Sequence, residues 1–360
     1  MTLKELLGKV VESKASDLHI NAGLPPQMRI DGTLVPLGDK ALAAEQAQAI
    51  CYECLNQEQV MRFEADRAID LSFGIEGLSR FRANIFWSLD CVAGAFRALP
   101  YIIPKPEDLG LPPSMIKITR RHKGFVLVTG QTGSGKSTTL AALIDRINST
   151  RSEHIVTIED PIEYLYTQNK SLINQREVGR DTLSFQRSLK HILRQDPDVV
   201  LVGEMRDLET IQAAITVAET GHLVFATLHT NSAVETIDRI IDVFPPHQQN
   251  QVRTQLSAIL EGVFCQQLLP KTGGGRALAL EILLPTSGIR NLIREGKTHQ
   301  IFAAMQMGQQ HTEMVTMDQS LAKLALEGNV EVEEARRRSR TPEDFDNLLQ
   351  GRPTQPQAKP

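Results

Sequence analysis

Residues 130–137 of the sequence form a glycine-rich segment, GQTGSGKS, that few folds can accommodate. It matches the pattern G-x-x-x-x-G-K-[ST] completely. It follows the apolar run at 124–129 and precedes a segment of helical character at 138–146. A strand, this loop and a helix in that order form the P-loop motif. The sequence therefore predicts an α/β fold in which a parallel sheet and its crossover helices surround the loop.

The residue types in this loop suit the binding of phosphate groups. Its glycines let the backbone curl so that several N–H groups converge on phosphate oxygens, and the following helix adds its partial positive charge. We expect Lys136 to reach the β- and γ-phosphates of ATP and the Ser137 hydroxyl to bind Mg²⁺. The expected nucleotide-binding residues are Gly130, Gln131, Thr132, Gly133, Ser134, Gly135, Lys136, Ser137 and Thr138.

Hydrolysis also needs an acidic residue that orients or activates water, and two acidic segments follow apolar strands. In TIEDPIE at 157–163, Pro161 ends the strand and leaves Glu163 beyond its carboxyl end, where ligands bind in such sheets. The strand in DPDVVLVGE at 196–204 ends in Glu204, a Walker B arrangement with Glu in place of Asp. We interpret both glutamates as candidate site residues, with Glu204 also a candidate magnesium ligand. A solvated surface carboxylate is the alternative for each.

Histidine and arginine residues supply further candidates. His222 and His229 bracket the apolar strand 223–228, and a histidine at a strand end can sense a γ-phosphate; a structural role is the alternative. In the strand RFRANIF at 80–86, alternation places Arg80 and Arg82 on one face, and Arg97 follows on the neighbouring hairpin strand. Such arginines could stabilise negative charge on a nucleotide held by a neighbouring subunit. Ordinary solvent-facing arginines are the alternative.

The chain divides by pattern into five parts. Residues 1–99 predict a small α+β domain, with helices at 3–13 and 41–65 and strands at 17–20, 27–31, 68–73, 80–87 and 92–99. A proline-rich linker follows at 100–113. Residues 114–286 predict the doubly wound α/β domain, with strands at 124–128, 154–158, 199–202, 223–227 and 277–284, and 287–348 predict helices. The polar tail 349–360 is expected to be disordered.

Bulk composition sets limits on function. The 360 residues carry a net charge of -4, which does not favour coating nucleic acid or anionic lipid. No apolar run is long enough for a membrane span and the N-terminus lacks a secretory signal, so we expect a cytoplasmic protein that meets the membrane only through a partner. Cys51 and Cys54 form one CxxC, but a structural zinc site normally needs a second pair; reduced thiols are the simpler interpretation.

These motifs together resemble those of the type IV pilus retraction ATPases, within the superfamily of hexameric secretion and type IV pilus ATPases. The likeness spans residues 16–19 (SDLH) to 290–295 (RNLIRE), about nine-tenths of the chain. It includes the Walker A loop, an Asp box at 157–164, a Walker B strand ending in GEMRD at 203–207 and a His box at 220–229. Each motif alone is moderate evidence, but their order and spacing are specific.

The resemblance implies a PAS-like N-terminal domain, a RecA-like ATPase domain and a homohexamer that couples ATP hydrolysis to pilin depolymerisation and twitching motility. It implies that Glu163 is the catalytic carboxylate, that Glu204 acts at the magnesium, that both histidines contact the nucleotide site and that the arginines reach it. Implied partners are an inner-membrane pilus platform protein and an accessory retraction ATPase. The segment 287–295 resembles the family's retraction helix, with Gly288 in place of the usual Ala; we expect the helix to begin a residue later.

Other ATPases and nucleotide-binding proteins fit less well. Pilus-extension ATPases of the same superfamily resemble the core but have a tetracysteine zinc site and extra N-terminal domains, whereas the accessory retraction paralogue lacks a good copy of the IRNLIRE stretch. A secretion ATPase remains the main alternative. A GTPase would need an N-K-x-D signature and an ABC cassette would need an LSGGQ-like signature, and the sequence contains neither. A nucleotide-binding module without turnover would not need both Glu163 and Glu204.

Overall fold

The computed structural model describes residues 1–30, 32–99, 102–307 and 312–351. The chain forms two compact units. Unit 1 comprises Met1–Ile102 and Pro161–Leu165, and unit 2 comprises the rest of the described chain. Residues 100 and 101 of the predicted linker and 352–360 of the predicted tail lie outside the described residues.

Unit 1 has helices on one face of an antiparallel sheet whose described strands run in the order β3-β2-β1-β6-β5-β4. Each contact between neighbours in this sheet is antiparallel. Its helices are α1 Leu3–Glu12, α2 Ala44–Tyr52 and α3 Gln57–Asp66, and its strands are β1 Asp17–Ile20, β2 Gln27–Ile30, β3 Thr33–Pro36, β4 Ala68–Ile75, β5 Ser79–Ser88 and β6 Cys91–Leu99.

The core of unit 1 explains which face of the sheet remains polar. Strand β5 alternates strictly: Phe81, Ala83 and Ile85 are fully buried in the apolar cluster under the helices. The side chains between them, beginning with Arg80 and Arg82, lie on the opposite face, as the alternation predicts. The helices therefore cover one side of the sheet and leave an arginine-bearing side.

Unit 2 contains a second sheet, whose described strands run in the order β13-β12-β7-β11-β10-β8-β9. All neighbours are parallel except the last strand, β13, which is antiparallel to β12. The strands are β7 Gly124–Thr129, β8 His154–Glu159, β9 Leu172–Glu177, β10 Val199–Val202, β11 Leu223–Leu228, β12 Leu260–Pro270 and β13 Arg276–Leu283.

Helices cover both faces of this sheet. On β7, Phe125 and Leu127 pack into one apolar cluster, whereas Val126 and Val128 pack into another on the opposite face. Burial on both faces explains the unbroken apolar sequence of the central strands. The helices are α4 Pro113–Lys117, α5 Lys136–Thr150, α6 Phe185–Ile192, α7 Leu208–Glu219, α8 Ala233–Asp242, α9 Pro246–Ile259, α10 Ser287–Arg294, α11 Ile301–Met307, α12 Met317–Leu326, α13 Val332–Arg338 and α14 Pro342–Leu349.

Two helix predictions need correction. The helix expected at 41–65 is two helices, because Asn56 begins α3 with a capping box in which its side chain accepts from the N–H of Gln59. Helix α10 begins at Ser287 rather than after Gly288. Thr286 caps it by accepting a hydrogen bond from the N–H of Ile289 at 3.3 Å, which offsets the low helix propensity of glycine.

Within the described ranges, no helix has both the length and the apolar character needed to cross a bilayer. The strands β3, β9 and β12 were not predicted.

Candidate nucleotide-binding site

The glycine-rich loop joins the carboxyl end of β7 to the N-terminus of α5. Its three glycines all have positive φ, at 137° for Gly130, 80° for Gly133 and 88° for Gly135. Gly135 is the N-cap of α5, so the first free N–H groups of the helix open into the loop. Ser137, in the first turn of that helix, is exposed. The loop therefore curls and ends at the N-terminus of a helix, whose free N–H groups can bind an anion.

Strand β12 packs directly against the glycine-rich loop at Gly130. A Cβ atom at Gly130 would lie 2.4 Å from the carbonyl oxygen of Gln266 and 2.6 Å from Ser134 Oγ, so only glycine fits there. The Gln266 amide donates to Thr139 Oγ1 at 2.9 Å, and Thr129 Oγ1 donates to Cys265 Sγ at 3.0 Å. These buried contacts fix the strand before the loop and the helix after it.

The loop residues fit a bound nucleotide. Lys136 Nζ donates to the carbonyl oxygens of Gly130 at 2.8 Å and Gln131 at 3.1 Å, so the ammonium group lies over the loop. Ser134 Oγ is buried and, within the described residues, has no hydrogen-bond partner, which leaves a polar atom for a ligand oxygen. The described residues contain no cluster of three or more His, Cys, Asp or Glu arranged to hold a metal ion.

The structure brings Glu204 and His229 together at the same edge of the sheet as the loop. Glu204 follows β10, His229 follows β11, and β11 lies directly between β10 and β7. His229 Nε2 lies 2.8 Å from Glu204 Oε1. The turn before Glu204 is fixed because Thr227 Oγ1 donates to the carbonyl of Gly203 at 2.6 Å.

Glu204 is held ionised by its surroundings. Burial alone would raise the pKa of this carboxyl group, but the hydrogen bond from Arg206 and the charge of His229 outweigh it, so the pKa is lowered. A carboxylate in this state can act as a metal ligand or as an acceptor for water at neutral pH.

Arg206 is a site residue to which the sequence reasoning gave no role. Its Nε lies 2.7 Å from Glu204 Oε1, and its Nη2 donates to Glu204 Oε2 at 2.8 Å. The signal was present in the sequence, since an arginine two residues after the carboxylate of GEMRD can fold back onto it.

His222 lies at the opposite edge of the sheet from the loop. It precedes β11, and its carbonyl accepts from the N–H of Gly124 at the start of β7, whereas the loop follows the end of β7. The length of β7 separates them by about 17 Å. His222 Nδ1 lies 3.0 Å from both the Val217 carbonyl and Thr220 Oγ1. A contact between His222 and a nucleotide on the same chain is therefore not supported.

Glu163 is half-buried and belongs to the short segment Pro161–Leu165, which forms part of unit 1. The strand β8 ends at Glu159, one residue after the predicted end at 158 and two residues before Pro161. The Glu159 carboxylate itself accepts from Thr157 Oγ1 at 2.6 Å within that strand.

The predicted arginines share the polar face of the unit 1 sheet but differ in their partners. Arg82 is exposed and is paired directly with Arg97 across β5 and β6. Arg97 Nε donates to Asp17 Oδ1 at 2.8 Å. Arg80 Nη2 donates to Ser72 Oγ at 2.6 Å. Like charges directly opposite each other are unfavourable in a sheet, and the ion pair between Arg97 and Asp17 offsets this for the Arg82–Arg97 pair.

The parallel sheet, the glycine-rich loop after its central strand and the carboxylate at the end of a nearby strand define the class of P-loop ATPases. Residues 107–337 match the family model described as "Type II/IV secretion system protein". The chain belongs to that family.

Individual relatives match a larger part of the chain than the family model does. The type IV pilus retraction ATPase PilT of Pseudomonas aeruginosa is 47% identical over 345 residues, which cover 96% of this chain and 100% of PilT. A twitching motility protein of Neisseria gonorrhoeae is 47% identical over 322 residues, covering 89% of this chain and 86% of that protein. A crystal structure of the pilus retraction motor PilT with bound ADP matches with a TM-score of 0.91 and 48% identity, covering 96% of this chain and 99% of that one.

Proposed function

We propose that this chain is a hexameric motor ATPase that couples ATP hydrolysis to retraction of type IV pili, and so to pilin depolymerisation and twitching motility. The observation that carries the proposal is identity of 47% with a retraction ATPase over the full length of that relative. The P-loop and the adjoining Glu204–His229 pair supply a site suited to that activity.

The residues of the site divide the chemistry between them. The loop and Lys136 bind and orient the phosphates, and Glu204 with Ser137 supplies oxygen ligands for Mg²⁺, which neutralises charge on the phosphates when bound. Glu163 accepts the proton of the attacking water, and His229 orients Glu204 and senses the γ-phosphate. ATP and Mg²⁺ are the cofactors.

The resemblance to the retraction ATPases also supports a proposal for the domains and the oligomer. Residues 1–99 form a PAS-like domain, 100–113 a linker, 114–286 a RecA-like ATPase domain and 287–348 a helical region. In a homohexamer, Arg80, Arg82 and Arg97 reach the nucleotide of a neighbouring subunit. The ring works in the cytoplasm at the inner-membrane face of the pilus machine, on a platform protein and beside an accessory retraction ATPase, without binding nucleic acid.

Purified full-length chain tests the enzymatic part. Lys136→Ala should abolish most nucleotide binding, because the ammonium group over the loop is lost. Glu163→Gln should leave ATP binding intact and lower turnover by roughly two to four orders of magnitude, the range for loss of a general base. Turnover of Glu163→Gln at the wild-type rate would remove Glu163 from the mechanism.

Gene deletion in the host tests the biological part. Cells without the chain should remain piliated but fail to retract pili, and the wild-type gene should restore retraction while the Lys136→Ala gene should not. Cells that lose their pili would instead indicate an extension ATPase, and cells with normal retraction but a secretion defect would indicate a secretion ATPase.

A further inference from the structure

The carboxylate of Glu204 is occupied on both oxygens by neighbouring side chains. Arg206 approaches Oε1 through Nε at 2.7 Å and Oε2 through Nη2 at 2.8 Å, and His229 Nε2 lies 2.8 Å from Oε1. This is the two-point geometry that arginine forms with carboxylates, with hydrogen bonds strengthened by charge. These three contacts take up most of the roughly four lone-pair positions of the carboxylate, so a metal ion that binds Glu204 competes with the guanidinium.

The backbone around Arg206 is fixed, whereas its side chain is largely exposed to solvent. Met205 is buried and its N–H donates to the carbonyl of Thr227 at 3.1 Å. Asp207 caps α7 by accepting from the N–H of Thr210 at 2.8 Å. The side chain of Arg206 is 76% exposed, against 21% for that of Glu204. Arg206 can therefore leave Glu204 by side-chain rotation alone, while Glu204 stays in position.

A second carboxylate lies at the same edge of the sheet as Glu204. Asp160, just past the end of β8, also acts electrostatically on the Arg206 guanidinium. Strands β8 and β10 are direct neighbours, so their carboxyl ends lie at the same edge of the sheet. Release from Glu204 therefore does not leave the arginine without an acidic neighbour.

We propose that Arg206 is a positioning residue that holds the Glu204 carboxylate and is displaced from it when the magnesium–nucleotide complex binds. The proposal rests on the proposed role of Glu204 at the magnesium. The exchange involves no covalent step: two hydrogen bonds from Arg206 to Glu204 break, and the freed oxygens become available to the cation. Arg206 thereby lowers the affinity for the magnesium–nucleotide complex and keeps Glu204 in a single orientation before binding.

The test measures binding of a fluorescent ADP analogue to the full-length chain, with Mg²⁺ and separately with EDTA. Arg206→Gln should tighten binding in Mg²⁺ by about threefold to tenfold, the range for release of a partly exposed charged pair, and leave binding in EDTA unchanged. Arg206→Lys retains the charge but not the two-point geometry and should fall between wild type and Arg206→Gln. Unchanged or weaker binding of Arg206→Gln in Mg²⁺ would overturn the proposal.

Two controls separate this effect from a general structural one. Arg336→Gln breaks another two-point pair, with Asp346 at 3.0 Å, and should not change binding in Mg²⁺. In a Glu204→Gln background, Arg206→Gln should have no further effect, because the two residues act through one contact. An equal gain in that background would show that Arg206 acts elsewhere, and the proposal would fail.

Failure of the proposed function gives a different result. Wild-type chain that binds the analogue no better than Lys136→Ala, with or without Mg²⁺, would overturn both proposals. Wild-type binding that depends on Lys136 and Mg²⁺, combined with no response to Arg206→Gln, would overturn only the role of Arg206.

Discussion

Gly130→Ala should damage the phosphate-binding loop far more than Gly133→Ala, although both glycines have positive φ. At Gly133, with φ of 80°, an added Cβ meets nothing within 4 Å. At Gly130, with φ of 137°, the same atom would lie 2.4 Å from the Gln266 carbonyl oxygen and 2.6 Å from Ser134 Oγ. Gln266 belongs to β12, which pairs with both β7 and β13 and so cannot easily retreat.

The expected magnitudes follow from these contacts. Gly133→Ala costs about 1–2 kcal/mol, the penalty for alanine in a left-handed conformation. Gly130→Ala combines backbone strain of about 1–3 kcal/mol with overpacking of about 1–3 kcal/mol. A difference of about 2 kcal/mol between the variants corresponds to about a thirtyfold difference in a binding constant.

Urea denaturation and titration with a fluorescent ATP analogue measure the two consequences. Gly130→Ala should show the lower free energy of unfolding, the weaker nucleotide binding, or both, whereas Gly133→Ala should retain measurable binding. Equal stability and equal affinity of the two variants would refute the reasoning, because the close approach of β12 to the loop would then have no energetic effect.

Three further changes probe other parts of the chain. Glu281→Ala should lower the free energy of unfolding by about 2–4 kcal/mol, and Glu281→Gln by less, because this buried carboxylate accepts from the N–H groups of Ala233 at 2.6 Å and Met317 at 3.4 Å; urea denaturation checks both. Burial raises the pKa of Asp17, but hydrogen bonds from Ser16 and Arg97 outweigh it and lower the pKa. The stability from Asp17 is thus present above about pH 4, the ordinary aspartate range, and is lost as the pH falls through the lower folded pKa. Asp17→Asn should remove this pH-dependent contribution to the free energy of unfolding, measured as acid unfolding curves. An acid unfolding curve identical to that of the wild type would contradict the stabilising role of the Asp17 carboxylate. Gly288→Ala should raise the unfolding temperature, with a gain of about 0.5–1 kcal/mol, because the added Cβ meets only Thr286 Oγ1 at 3.8 Å; a lower unfolding temperature would show that α10 needs the glycine.

Elements with a strong local signal were predictable from the sequence. The central strands β7, β10 and β11 are continuous apolar runs between turn residues, and the glycine-rich loop has a fixed pattern. Strand β12 was missed because Gly262, Gln266 and Gln267 interrupt its apolar sequence; it is a strand because β7 and β13 pair with it on either side. Tertiary pairing, rather than local propensity, determines such strands.

The candidate site was predictable as a set of residues but not as an arrangement. Glu204 and His229 each follow an apolar strand, yet their 2.8 Å contact depends on β10 and β11 being neighbours, which the linear sequence does not specify. The same strand direction places His222 at the far edge from the loop, although His222 and His229 look alike in sequence. Whether a histidine lies near the glycine-rich loop is therefore decided by the end of β11 that it occupies.

The pairing of β12 with β7 also has a consequence for synthesis of the chain. Thr129 at the end of β7 pairs with Cys265, which is 136 residues later. Because the chain is synthesised from its N-terminus, the complete glycine-rich loop leaves the ribosome long before β12, the strand that supports it. Until β12 emerges, one edge of the fully buried, apolar strand β7 lacks its partner and can pair with another chain. A ribosome-bound chain that stops before residue 260 should carry the whole loop sequence and still fail to retain nucleotide.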